Sequence, residues 1–386
     1  ILYGKSGADT LYGDQGDDTL DGGAGNDQLY GGSGADTYLF GRGSGQDTID
    51  NSDGDALGVN ADIVLVKANF ADVTLKRIGA SLSIAIDGTE DVLQLHLYFY
   101  LDGSTSRTVE QIRFEDGTVL DYATVKAITL SGTPDHDTLN GYAAADVMSG
   151  GEGNDTLYGS DGDDTIDGGN GDDVVSGDNG NDQLKGSTGN DTLWGGNGGD
   201  TLEGGAGNDS VNGNNGSDVY LFGRGHGQDT INNSDSDAPG VNADTLRFAD
   251  GILPDDVEVR REGNDLIVSI AGTDDSVRVQ RYFESDATTT YALESIQFSN
   301  GTNWDIAAVK TRVTQPSGEG VPLYGYGTDD ALGGTAGAET LYGNAGNDTL
   351  DGKAGGLLLK LHDLLRQWIM IATQDVLHQL HWSHLS

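Results

Sequence analysis

The chain has no cysteine, only 20 lysines and arginines, and no apolar run fit to span a bilayer. Without cysteine, neither a disulfide framework nor a zinc–thiolate site can form, and redox usage says nothing about compartment. The few bases face 63 acids, for a net charge of −43. Nucleic acid and anionic membranes are excluded as partners, because both would repel such a chain. The same charge opposes compaction unless cations neutralise it. The apolar stretch from Leu357 to Ile371 is broken by Lys360, Asp363 and Arg366, so it is not a membrane span. The patterns G-x-S-x-G, H-E-x-x-H and G-x-x-x-x-G-K-[ST] are missing, and the reading is non-enzymatic. His96, His136 and His226 stand apart and read as structural; His378, His381 and His384 read as a solvated face near the C-terminus. The chain opens inside a repeat, at "ILYG", with no signal-peptide pattern.

What is abundant is glycine, 62 residues of 386, far above the usual share of about 7%. The stretch "GGEGNDTLYGSDGDDTIDGGNGDDVVSG" parses into nine-residue units of six turn-forming residues and three of strand type. Units open at Gly4, Gly13, Gly22 and Gly31, then at every ninth residue from Gly132 to Gly213, then at Gly325, Gly334 and Gly343. The sixth place is aspartate except at Glu339, and the eighth is apolar or tyrosine. A flexible linker would keep the composition and lose this registry. In a three-residue strand the middle side chain points opposite to its neighbours. Leu157, Ile166, Val175, Leu184, Leu193 and Leu202 therefore face inward. Two units form one coil with a strand on each side, and coils stack at about 4.8 Å. Aspartates such as Asp155 and Asp173 then lie one above the other and repel unless a cation separates them. Oxygen ligands without cysteine or histidine select calcium or magnesium, and several flexible carbonyls favour calcium.

The units GGEGNDTLY and GGAGNDSVN resemble the G-G-x-G-x-D-x-U-x nonapeptide of RTX proteins, the haemolysin-type calcium-binding repeats. The resemblance implies an all-β, right-handed parallel β-roll with calcium held between loops two repeats apart by aspartate carboxylates and glycine-turn carbonyls. The residues it assigns are Asp9, Asp18, Asp27 and Asp36; Asp155, Asp164, Asp173, Asp182, Asp191, Asp200, Asp209 and Asp218; and Asp330 and Asp348. Its glycines are Gly22, Gly23 and Gly25; Gly150, Gly151 and Gly153; Gly168, Gly169 and Gly171; Gly195, Gly196 and Gly198; and Gly204, Gly205 and Gly207. About ten ions are expected. "GTPDHDTLN" and "GYAAADVMS" lack the fourth-place glycine and are expected to cap the roll and bind weakly.

"YLFGRGSGQDTIDNSDGDALGVNAD" from Tyr38 recurs as "YLFGRGHGQDTINNSDSDAPGVNAD" from Tyr220. Both copies look like the haemolysin-type calcium-binding related domain, with Asp47 and Asp229 as last ligands and an end of a roll to cover. Asp53, Asp55 and Asp62, with Asp235, Asp237 and Asp244, are candidates for one extra calcium site in each copy. The organisation read from these blocks is roll 1–37, β-domain 38–128, roll 129–219, β-domain 220–312, linker 313–322, roll 323–355 and a tail 356–386. Apolar residues of the tail recur at helical spacing and predict an amphipathic α-helix; a secretion signal and a change of reading frame are its two explanations. The function expected is a secreted bacterial calcium-binding region that folds on extracellular calcium, with a type I secretion apparatus as partner. The alternatives are an adhesin or glycan-binding module, and the non-catalytic C-terminal part of a secreted hydrolase or cytolysin.

Overall fold

A three-residue strand can bury its middle side chain only against another copy of itself, and the chain meets this need by pairing strands one coil apart. The computed structural model describes residues 1–52, 60–103, 107–236, 241–315, 321–337, 340–353, 357–360 and 369–372. Two compact units result: residues 1–132 with 139–148, and residues 133–138 with 149–386. In the second unit, parallel pairs join Thr156 to Val174, Val174 to Thr192 and Thr192 to Ser210 in one sheet. Thr165 to Gln183 and Gln183 to Thr201 do the same in the other sheet. Leu157, Ile166, Val175, Leu184, Leu193 and Leu202 are each no more than 2% exposed between the sheets. Such burial contributes roughly 2 kcal/mol per side chain. This is a parallel β-roll.

The strands are longer than the three residues expected. Thr165–Asn170, Val174–Asn179 and Gln183–Thr188 have six each, because pairing runs on through the first places of the next unit, as at Gly169–Ser187 and Asn170–Thr188. Buried backbone needs partners, and glycine at these places lets consecutive coils approach closely enough to supply them. The reversal is left to places four to six.

The boundaries read at Tyr38 and Tyr220 fall inside strands Thr37–Gly41 and Val219–Phe222. The related domains are continuations of the roll. The coil offset lengthens to 20 residues at Gln28–Thr48 and Ser210–Thr230, and to 26 at Thr37–Ile63 and Val219–Thr245. One further parallel rung follows in each sheet, Gln46–Val92 and Ile63–Gln111 in the first unit and Gln228–Ser276 and Thr245–Ser295 in the second. Antiparallel strands then close the sheets, Ser81–Ile86 and Val73–Ile78 on one and Val119–Asp121 on the other, with equivalents in the second copy. Helices α1 (Tyr122–Thr129) and α2 (Ile306–Val313) follow. The Asp121 and Asp305 carboxylates accept from the third-residue amides at 2.8 Å and start them.

Leu323, Leu332 and Leu341, with Leu350, form the core of the third roll. Residues 316–320 of the expected linker lie outside the described residues. The described part of the tail is not helical. Leu357–Lys360 pairs in parallel with Thr340–Tyr342, and Ile369–Ala372 pairs back on it antiparallel. The first of these strands stands one coil beyond Thr340–Tyr342, so the open edge of the roll templates an apolar segment that alone has helical spacing. The rest of the tail, including the three C-terminal histidines, lies outside the described residues.

Gly171 takes φ +131°, and a Cβ there would collide with the Gly153 carbonyl oxygen, whereas Gly263 at φ +62° has nothing within 4 Å of that position. Gly171→Ala is expected to cost at least about 2 kcal/mol, against about 1 kcal/mol for Gly263→Ala. Thermal unfolding in saturating calcium checks the difference.

Candidate metal centre

Each sixth-place aspartate closes a reversal just before a strand, which aims its carboxylate at the turn of a neighbouring coil. On one edge of the second unit, the Asp155 amide donates to Asp173 Oδ1 at 2.7 Å, Asp173 to Asp191 at 2.8 Å and Asp191 to Asp209 at 2.8 Å. On the other edge, Asp164 donates to Asp182 at 2.8 Å, Asp182 to Asp200 at 2.8 Å and Asp200 to Asp218 at 2.9 Å. The first roll repeats this from Asp9 to Asp27 at 2.8 Å and Asp18 to Asp36 at 2.9 Å, and the third from Asp330 to Asp348 at 3.0 Å. Asp47 and Asp229 extend the ladder, accepting from the Asp27 and Asp209 amides at 3.0 Å each. The second carboxylate oxygen is left over. Among the described residues, Oδ2 of Asp9, Asp27, Asp47, Asp155, Asp173, Asp182, Asp191, Asp200, Asp209 and Asp218 is buried with no hydrogen-bond partner. A buried carboxylate oxygen with no donor is costly, and a hard cation is the remedy its chemistry calls for.

The glycines bring main-chain oxygens to the same places. A Cβ on Gly22, Gly168, Gly195 or Gly204 would meet Oδ2 of Asp27, Asp173, Asp200 or Asp209 in its own unit. One on Gly169, Gly171, Gly196, Gly198, Gly205 or Gly207 would meet a carbonyl oxygen of the preceding coil, as would one on Gly23 or Gly25. A Cβ on Gly150 would meet the Gly168 carbonyl and Asp155 Oδ2, and a Cβ on Gly169 the Gly151 carbonyl. Gly153 supplies the carbonyl beneath Gly171. Among the described residues, no three carboxylates or imidazoles converge on one point. An ion held here needs carbonyls beside the aspartates, and a mixed oxygen shell of this kind fits calcium.

Burial pushes some of the ladder carboxyls up. Asp47, Asp191 and Asp218 rise to about 7, Asp173 and Asp200 to about 6, and Asp229 to about 8. Desolvation is the largest cause in each; the amide bond from the preceding aspartate opposes it, and neighbouring carboxylates add to it. Asp182 is raised by burial in the same way.

Not every sixth-place acid is alike. Asp137 Oδ2 accepts from the Thr133 amide at 2.6 Å and its hydroxyl at 2.8 Å, and Asp330 Oδ2 accepts from the Tyr326 amide. Of the acids considered for an extra site in each copy, Asp53, Asp55 and Asp237 lie outside the described residues. Asp62 and Asp244 are buried, 2% and 4% exposed, and accept from Asp36 and Asp218 as the next rungs of the ladder. The fifth-place residues were not singled out from sequence. Asp172, Asn190 and Asn208 each donate a main-chain amide to the fifth-place side chain one coil earlier, at 2.7–3.0 Å. The Asn or Asp before Asp155, Asp164, Asp173, Asp182, Asp191 and Asp209 is the signal that marks them.

Comparison with known proteins agrees with this geometry. The profile of the RTX calcium-binding nonapeptide repeat matches residues 3–38, overlapping segments from 129 to 229, and 324–356. The haemolysin-type calcium binding protein related domain matches residues 82–124 and 265–308. The iron-regulated protein FrpA of Neisseria meningitidis serogroup C is 42% identical over 119 residues, 31% of this chain and 10% of that protein. The chain thus spans about a tenth of that relative's length. The crystal structure of the extracellular lipase LipA from Serratia marcescens aligns over 68% of this chain and 36% of that one, at 19% identity and a TM-score of 0.22.

The raised carboxyls give a signed pH dependence. Between about pH 4 and pH 8 the folded metal-free rolls bind more protons than the unfolded chain, so their stability falls as pH rises through that window. In chelator, the folded fraction of the rolls is expected to fall steeply from pH 5 to pH 8, where they are expanded. In saturating calcium this slope should flatten, and calorimetry at pH 6 in buffers of different ionisation heat should record proton release on calcium binding.

Proposed function

We propose that this chain, whose repeats match the RTX calcium-binding nonapeptide, is the calcium-operated folding region of a secreted bacterial protein, exported unfolded through a type I apparatus and folded outside. The repeats bind calcium; the proposal concerns what that binding does. The observation that carries it is the run of buried aspartate oxygens without hydrogen-bond partners, set among glycine carbonyls, in a chain of net charge −43. Extracellular calcium modules bind with Kd around 10⁻⁴ M, so about 1 mM calcium stabilises the fold by roughly 1.4 kcal/mol per site, and sub-micromolar calcium by almost nothing. About ten such sites contribute roughly 14 kcal/mol, as much as the whole stability of an ordinary domain. Folding beyond the channel exit also opposes backsliding. The region has no catalytic role in this reading. A hydrolase or cytolysin activity would belong to other parts of a longer chain.

Glycan binding is the second reading, and one feature of the roll favours it. A groove of about 870 Å³ is lined by Trp194, which is 39% exposed, and by Ser160, Asp178, Asn197, Asn215 and Ser236. An aromatic face among amides and hydroxyls suits a neutral sugar. Of the aromatic runs in the β-domains, Tyr98, Phe99, Tyr282 and Phe283 are buried and closed to a sugar, whereas Tyr100 is exposed.

Small-angle scattering is expected to show expanded rolls in chelator and compact ones in millimolar calcium, with no compaction by magnesium, which keeps its water and demands a small octahedral shell. In the same titration, Asp182→Asn should raise the calcium midpoint and lower the number of ions bound. Asp137→Asn, whose second oxygen already has Thr133 as donor, should change both only slightly. Compact rolls in chelator would defeat the proposal. For the second reading, a glycan array probed with the calcium-loaded chain should give binding that Trp194→Ala abolishes.

A further inference from the structure

We propose that each haemolysin-type related domain fixes where one calcium ladder stops and the next begins, by placing protein donors and cations against the terminal acids. The proposal rests on the reading of paired aspartates as calcium ligands. At the stop, the amide-to-carboxylate bond persists, from Asp218 to Asp244 Oδ1 at 2.9 Å. The other oxygen of Asp244 is not bare: it accepts from the Asn233 side-chain amide at 2.8 Å. Asn233 in turn accepts from the Tyr220 hydroxyl at 2.7 Å, and that hydroxyl accepts from the Gly213 amide at 2.9 Å. Tyr220 holds the eighth place of the last unit, where the rest of its block carries aliphatic side chains. The first copy builds the same relay from Gly31 through Tyr38 and Asn51 to Asp62, at 3.0, 2.7 and 2.8 Å. On the other edge, Asp275 spends both oxygens on the Gly225 and Gly227 amides, and Asp91 on those of Gly43 and Gly45. A carboxylate satisfied in this way has no unmet oxygen to offer an ion.

The start of the following block is held by cations of the protein. The Arg77 guanidinium donates to the Asn140 and Gly141 carbonyls at 2.7 and 2.8 Å and lies 4.0 Å from the Tyr142 ring. The Lys126 ammonium, on α1, pairs with Asp146 at 2.8 Å. In the second copy, Arg261 donates to the Gly325 carbonyl at 2.9 Å, and Lys310 on α2 stands 4.2 Å from the Tyr326 ring. In the first copy, guanidinium on main-chain carbonyls and ammonium on the sixth-place Asp146 meet the two kinds of oxygen that an ion bridges within the ladder; in the second, Arg261 meets the carbonyl and the Tyr326 amide meets Asp330 Oδ2. Few bases are present in this chain, and four of them are spent here.

Two measurements on the full chain, with calcium alone as the probe, test this. The double variant Asn51→Asp and Asn233→Asp sets a second carboxylate against each terminal acid. The number of calcium ions bound at saturation, counted by elemental analysis and calorimetry, should rise by about two. Hydrogen exchange of the unaltered chain at sub-saturating calcium, near the folding midpoint, needs no variant. The amides of Gly213, Asp218, Tyr142 and Tyr326 should exchange at least about tenfold more slowly than those of Asp182 and Asp200. Uniform exchange, or a folded double variant with an unchanged ion count, overturns the proposal. A chain that binds no calcium at all would instead overturn the calcium reading beneath it.

Discussion

Along the rolls, the amide of one sixth-place aspartate donates to the carboxylate one coil further on, as from Asp155 to Asp173 and from Asp182 to Asp200, and the rest of the molecule depends on that bond. It fixes the stagger of consecutive coils, satisfies a main-chain donor at the reversal, and commits Oδ1 so that Oδ2 is left facing neighbouring backbone oxygens. Stacking and cation binding are therefore one interaction seen from two sides. The apolar interior cannot replace it. Each unit supplies a single buried apolar side chain, such as Leu157 or Ile166, and one such side chain in nine residues is little to set against the conformational entropy of so many glycines.

A roll held in this way has a difficulty at each end, where the next coil is missing and both backbone and acid lose their partners. The related domains meet it with the same ladder, altered. Lengthening the coil offset to 20 and 26 residues keeps the aspartate rungs in place and frees chain to loop outward. The antiparallel strands that follow end the parallel stack, since a strand that turns back no longer presents a coil edge for another. The exposed charges of the roll stay in water, where they keep the chain soluble. The charges that matter to folding are the buried ones.

The nine-residue clock, the inward face, the vertical alignment of aspartates and the demand for a hard cation could all be read from the chain, because each follows from a local period. The fifth-place ladder is less regular, interrupted by Gly199 and Ser217, and no elementary chemistry demands it. The relay from Tyr220 through Asn233 to Asp244 had no such signal: its members are 11 to 13 residues apart in segments with no common period. The tail shows the reverse case. Its helical spacing was real, but a strand edge one coil away offered Leu357–Lys360 parallel pairing, while a short helix without a packing surface is only marginally stable.

By itself, then, the sequence determined everything that repeats, since an interaction between equivalent places recurs wherever the register does. Only the tertiary structure decided where repetition ends. Whether Asp62 and Asp244 are loop acids or further rungs, and whether Lys126 and Arg77 are solvated or set against the next block, depends on pairings between residues 20 to 64 positions apart. No local pattern encodes contacts at that range, because their geometry is fixed only after the coils between them have stacked.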